Sequence, residues 1–199
     1  MRDVRKFSDK VIDKFDIGYC PLEIDHELRG RIITPIYDTY GEMVAISTRH
    51  MNEDQKFRFW HESFDKGFYL YGLNQAKDTI RKLNKVIIVE GEFDALAFHS
   101  CGFTMTVACS GSAFSLYQVA LVSRFCTNFY LMFDGDVAGR KSIDRTMDMY
   151  EKYSLGNYGL KFIPVYLPKD TDPDEYLFAN GLNGVKEKLR ISRDEFSFI

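Results

Sequence analysis

The sequence predicts an α/β fold: a roughly four-stranded, mainly parallel sheet flanked by helices, with a smaller α+β subdomain ahead of it. Three observations predict it. Short apolar runs at Val86–Val89, Met105–Ala108, Phe129–Phe133 and Phe162–Tyr166 alternate with longer stretches of helical character. The runs are β-branched or aromatic and bounded by charge or glycine, which is how strands buried on both faces of a parallel sheet read. Three of them lead into acidic clusters: Glu90-Gly-Glu-Phe-Asp94, Asp134-Gly-Asp136 and Asp170-Thr-Asp172-Pro-Asp174-Glu175.

Taken in order, Ser8 to Phe15 predicts a short helix with Ser8 as N-cap and Val11, Ile12 and Phe15 on one face. Arg31 to Arg49 predicts two strands around a turn at Asp38–Gly41. Asn74 to Leu83 predicts a helix that leads into the first acidic strand. Helices are then expected at Phe93–Ser100, Phe114–Phe125 and Ala138–Tyr153, each between two of the apolar runs. Glu175 to Leu189 predicts one or two short helices interrupted at Gly181 and Gly184. The change of pattern near Lys85 divides the chain into an amino-terminal subdomain at 1–85, a βα unit at 86–179 and a short helical segment at 180–199.

A chain of 199 residues, 45% apolar and 15% aromatic, can bury one sizeable core or one core with an appended subdomain. That excludes a disordered chain. No apolar stretch approaches the roughly 20 residues needed to cross a bilayer, and the first residues lead into no signal-type segment. A cytoplasmic protein with no membrane partner is expected. Cys20, Cys101, Cys109 and Cys126 lie singly, so neither a zinc site nor a disulfide framework is expected. The net charge of −3 is unevenly spread: residues 1 to 85 carry +1 and residues 86 to 199 carry −4. Neither value suits a protein that coats nucleic acid by bulk charge, so any such contact must be local.

Parallel strands end on one edge, and ligands of open α/β sheets bind outside those carboxyl ends. Three acidic clusters distant in sequence would converge there. Gly91 is expected to allow a sharp turn after Glu90, and Asp94, one helical turn on, can face the same pocket. Asp134 and Asp136 flank a glycine in an extended segment, where residues two apart point the same way, so both can hold one hard cation. Asp136 also fits a plain N-cap for the helix that follows. Crowded carboxylates repel one another unless a cation joins them, so three clusters at three strand ends point to divalent metal and phosphoryl transfer.

Arg29, Arg31, Arg49, Lys56, Arg58 and Lys66 are interleaved with Phe57, Phe59 and Trp60. Such a pattern suits a nucleic-acid backbone with stacked bases, or a solvated basic face over an aromatic core. Ser110-Gly-Ser112 follows a strand and could offer amides to a phosphate, but no Gly-Lys-Ser/Thr accompanies it. His26, His50, His61 and His99 show no metal spacing.

Glu90-Gly-Glu-Phe-Asp94, followed by Asp134-Gly-Asp136-x-Ala-Gly-Arg140, resembles the Toprim signature shared by DnaG-type primases, type IA and II topoisomerases and certain nucleases. Phe7–Gly18, Leu28–Asp38, Tyr69–Leu73 and Asp172–Glu175 resemble, in order, the catalytic core of bacterial and phage DnaG-type primases. That resemblance implies a DNA primase that makes short RNA primers on single-stranded DNA from ribonucleoside triphosphates. It implies Glu90 as general acid/base, Asp134 and Asp136 as the metal pair, and Asp94, Asp172 and Asp174 as carboxylates extending the cluster. The metal implied is Mg²⁺, with Mn²⁺ able to substitute. Arg31, Arg49, Lys56, Arg58 and Lys66 become the expected contacts to template and nucleotides, in a groove between the two parts. A zinc-binding module and a replicative helicase are implied partners outside this sequence. The competing readings are a Toprim nuclease and a non-catalytic nucleic-acid-binding accessory module.

Overall fold

The computed structural model describes residues 7–52, 59–61, 64–111 and 114–196. Helix α1 (Asp9–Lys14) opens on Ser8, whose Oγ accepts from the Val11 amide, and buries Val11 and Phe15. An antiparallel sheet follows, ordered β1 (Gly18–Cys20), β2 (Arg31–Tyr37), β3 (Met43–His50) and β4 (Phe59–His61). The β2–β3 turn falls where the sequence puts it: one oxygen of Asp38 accepts from the amides of Tyr40, Gly41 and Glu42. β1 and β4 were not expected. Three residues each are too few to carry an alternating pattern, and pairing with β2 and β3 forms them.

Strand β2 alternates strictly, with Ile32, Thr34 and Ile36 buried. That face packs into the core shared with the second sheet, through Ile32 and Ile36. The chain crosses over through Tyr71, which pairs with Ala108, and Gly72, whose φ of 81° starts helix α2 (Leu73–Leu83) in a conformation glycine adopts without strain.

The second sheet is wholly parallel. Its strands are β5 (Lys85–Val89), β6 (Thr106–Ala108), β7 (Asn128–Leu131) and β8 (Lys161–Pro164), in the spatial order β6-β5-β7-β8. Helices α3 (Glu92–Ser100), α4 (Leu116–Ser123) and α5 (Val137–Lys152) alternate with them, as the sequence predicts. Val86, Ile87, Ile88, Val89, Phe129 and Leu131 are fully buried, the burial on both faces that their apolar runs announce. His99 of α3 donates Nε2–H to the Thr106 carbonyl at 2.9 Å and meets the Phe15 ring edge-on, locking α1, α3 and β6 together.

The last helix, α6 (Pro173–Glu195), starts earlier and ends later than expected. Only Gly181, at φ 65° and ψ −176°, breaks it; Gly184 continues the helix. No helix among the described residues is long and apolar enough to cross a membrane.

Candidate active site

Between β5 and β7 the sheet changes direction: the chain leaves β5 toward β6 on one side, then returns to lay β7 on the other. Such a switch point opens a crevice at the carboxyl ends of the two strands. Glu90 follows β5 and Asp134 follows β7, so both stand at its mouth. They are joined directly, because the Asp134 amide donates to Glu90 Oε1 at 3.3 Å.

Two glycines let the remaining carboxylates close in. Gly135 donates to the Thr171 carbonyl and accepts from the Asp170 amide, pinning the 168–171 loop against the Asp134 segment. A Cβ on Gly135 would collide with the Pro168 carbonyl. Gly139, in the first turn of α5, has no room for one either: it would strike the Asp134 backbone and come within 2.8 Å of Glu90 Oε1. The loop held by Gly135 delivers Asp172 and Asp174, the latter 5% exposed at the start of α6.

The electrostatics record the convergence. Burial pushes Asp134 up to about 7, and Glu90, Asp172, Asp136 and Asp174 push it the same way. Burial also raises Glu90, partly offset by the hydrogen bond from the Asp134 amide and reinforced by Asp136 and Asp172. Asp134 Oδ1 is buried and has no hydrogen-bond partner. These are hard oxygen donors carrying excess negative charge, with one lone pair set aside, and they suit a divalent cation. Among the described residues no three acidic, histidine or cysteine side chains converge closely enough to cage one alone.

Two candidates also serve locally. Asp136 caps α5 by accepting from the Gly139 amide at 2.7 Å through one oxygen, the N-cap reading of its sequence position, while its charge still bears on Asp134. Asp94 folds back to accept from the Gly91 amide. Gly91 does not make the sharp turn expected of it: its backbone is extended, at φ −100° and ψ 148°, open to any residue. A Cβ there would lie 2.8 Å from Asp94 Oδ2, so a larger residue would displace that carboxylate from the Gly91 amide.

The basic candidates divide between two faces. Ile32 pairs with Arg49 and Arg31 with His50, so the two arginines point to opposite sides of the amino-terminal sheet. Arg49 lies on the face toward the second sheet, its guanidinium 4.9 Å from the Phe93 ring, next to the Glu90–Asp94 segment. Arg31 lies on the outer face, where it donates to Thr48 Oγ1 and lines a cavity of about 570 Å³ with Arg29, His50 and Tyr19. One groove therefore does not hold both. Lys56, Arg58 and Ser112 lie outside the described residues.

Lys66 sits in a 3₁₀ turn (Lys66–Phe68) fastened to α4. Gln118, fully buried, donates to the Lys66 and Tyr69 carbonyls at 3.0 and 2.7 Å, and Ser115 Oγ donates to the Gly67 carbonyl. The sequence reading missed Gln118. Its signal was the Ser115-x-x-Gln118 capping box, which the structure forms on both sides.

A Toprim-like family profile matches residues 87–177. The DNA primase of Aquifex aeolicus is 32% identical over 94% of this chain and 42% of its own length. That of Chlamydia muridarum is 32% identical over 98% of this chain and 37% of its own. The chain thus spans about two fifths of these relatives. The Aquifex aeolicus primase structure, with zinc-binding and RNA polymerase domains, superposes with a TM-score of 0.82 at 29% identity, over 94% of this chain and 53% of that one. A DnaG primase catalytic domain bound to single-stranded DNA shares the fold, with a TM-score of 0.86 at 23% identity over 96% of this chain and 69% of its own. By sequence and by fold together, the chain is similar to the catalytic core of DnaG-type primases, with a Toprim-like match at 87–177.

Proposed function

We propose that this chain is the polymerising core of a DNA primase: a nucleotidyltransferase that joins ribonucleotides into short RNA primers on a single-stranded DNA template. The observation that carries the reading is the convergence of Glu90, Asp134, Asp136, Asp172 and Asp174 at the switch point of a sheet whose chain matches primases almost end to end. In the reaction a 3′-hydroxyl attacks the α-phosphate of an incoming ribonucleoside triphosphate. The new O–P bond forms as the bond to pyrophosphate breaks.

Glu90, half-buried and held above the ordinary carboxylate range, suits the transfer of the proton that the 3′-hydroxyl loses. Asp134 and Asp136, with Glu90, would hold Mg²⁺, or Mn²⁺ in its place, and Asp94, Asp172 and Asp174 would extend the cluster. When bound, the cation offsets the charge of the phosphates and of the carboxylates together. Gly135 and Gly139 keep backbone and carboxylates close enough to act as one group. Arg49, beside Phe93, would meet the triphosphate or primer from across the crevice. Arg31, with Arg29 on the outer face, would hold template away from the chemistry, and Lys66, Lys56 and Arg58 would complete the basic contacts. In this scheme residues 1–85 guide template and nucleotide, 86–179 carry the chemistry, and 180–199 brace the sheet.

The working partners are single-stranded DNA and ribonucleoside triphosphates, with a zinc-binding module and replicative helicase supplied from outside this sequence, in the cytoplasm of a bacterium or phage-infected host. The test is incorporation of labelled ribonucleotides on single-stranded DNA with Mg²⁺ or Mn²⁺, beside Asp134→Asn. Short template-dependent RNA that vanishes in the variant supports the reading. Metal-dependent loss of the DNA, without synthesis, would replace it with a nuclease.

A further inference from the structure

At the opposite end of the parallel sheet from Glu90, a groove of about 570 Å³ runs between the second half of α6 and the loop joining α3 to β6. Its walls are apolar, built by Leu83, Phe103, Met105 and Leu189, and its rim is cationic, with Lys85, Lys186, Arg190 and Arg193. Among the described residues no aspartate or glutamate lines it. Arg190 and Arg193 are already committed, Arg190 donating to Glu187 and Asp194 at 2.7 to 2.9 Å and Arg193 to Asp194 at 3.1 Å. Lys85 and Lys186 make no ion pair among the described residues, so their charge faces the groove unspent. Its apolar lining reaches the surface, because Leu83 and Leu182 are 44% and 45% exposed.

An apolar slot with uncompensated positive charge selects an anionic partner that also has apolar groups to bury. Nucleic acid fits poorly, since the aromatic rings lining the groove, Phe103 and Tyr130, are only 4% and 7% exposed and offer no open face on which to stack a base. A small metabolite would leave Leu83 and Leu182 uncovered. We propose that this groove docks an acidic peptide segment of a partner protein, one that places an apolar side chain between Phe103 and Leu189 and its carboxylates on Lys85 and Lys186.

Position adds to the argument. Lys85 begins β5 and Glu90 follows its end, so the two are separated by ~16 Å at ~3.3 Å per residue. That exceeds the ~8 Å over which charges are felt at physiological ionic strength. An acidic segment bound here neither competes with the carboxylate cluster for cation nor repels an incoming triphosphate. The chain could hold a partner and act on substrate at the same time.

The test does not depend on primer synthesis. A fluorescein-labelled peptide of alternating Asp and Leu ending in Phe is titrated onto the whole chain and read by anisotropy, with amide shift mapping of the unmodified protein. Binding is expected, with shifts at Gly102, Phe103 and Leu182, and Lys85→Glu with Lys186→Glu should weaken it by about tenfold or more. Replacing Asp by Asn, or Leu and Phe by Ser, should each abolish most of the affinity. The proposal is overturned by equal binding of the Asn peptide, by shifts that map elsewhere, by absence of binding at millimolar peptide, or by displacement of the peptide by single-stranded oligonucleotide.

Discussion

Burial first, and then four neighbouring carboxylates, act on Asp134 in one direction and raise its ionisation from the ordinary 3.8 to about 7. Neutralising it relieves the repulsion. Asp134→Asn is therefore expected to raise the melting temperature by a few degrees in chelator, for a gain of about 1 kcal/mol, while losing the further rise that Mg²⁺ gives the unaltered chain. Differential scanning fluorimetry with EDTA and with Mg²⁺ reads both effects. Linked protons add a second prediction. Because Asp134 is raised on folding, its contribution to stability is full below pH 3.8 and is lost as pH rises through about 7. His99 runs the other way: burial lowers it from 6.5 to about 4, so its contribution is full above 6.5 and is lost as pH falls toward 4. In Asp134→Asn most of the opposing slope is gone, only the raised Glu90 still working against His99, and stability should rise by up to about 3 kcal/mol between pH 4 and 6.5. His99→Gln in that background should flatten the urea-melt profile; an unchanged slope would show that another group titrates.

Elements show what spacing can and cannot disclose. The parallel strands were legible because each is an apolar run with a sharp acidic or glycine boundary, and the carboxylates at their ends followed from the direction of the strands alone. The faces of the amino-terminal sheet were not legible. Arg31 and Arg49 seemed partners in one groove, but which arginine faces inward depends on the register of a hairpin with a bulge at Ile36/Tyr37, and composition carries no register. Gln118 was hidden for a related reason: its partners, Lys66 and Tyr69, are about fifty residues away. Gln118→Ala should cost about 1–2 kcal/mol by stranding two part-buried carbonyls, checked by urea unfolding. For the glycines the expectation is sharper. Gly139→Ala must push α5 off Asp134 and Glu90, so it should destabilise by about 1–3 kcal/mol and lower nucleotide incorporation more than tenfold even where the protein remains folded. Activity within twofold of the parent would mean that the two carboxylates need not be held so closely.

On the scale of the whole molecule, two sheets share one core and set Arg49 beside the segment that carries Glu90 and Asp94. The parallel sheet supplies a switch point where carboxylates from three segments meet; the antiparallel sheet supplies Arg49 on the inner face and the Arg29–Arg31 cavity on the outer one. Substrate and template would then be handled on different faces, joined around the edge of the amino-terminal sheet. The division of labour leads to the most direct test, which bypasses initiation and any module outside this sequence. An RNA primer annealed to a DNA template is given one complementary ribonucleotide with Mg²⁺, and the product is resolved to single-nucleotide length. The account predicts primer lengthened by one templated residue, dependent on the metal and lost in both Asp134→Asn and Glu90→Gln. A primer left unextended while Mg²⁺ measurably stabilises the protein, or a primer shortened, would contradict it.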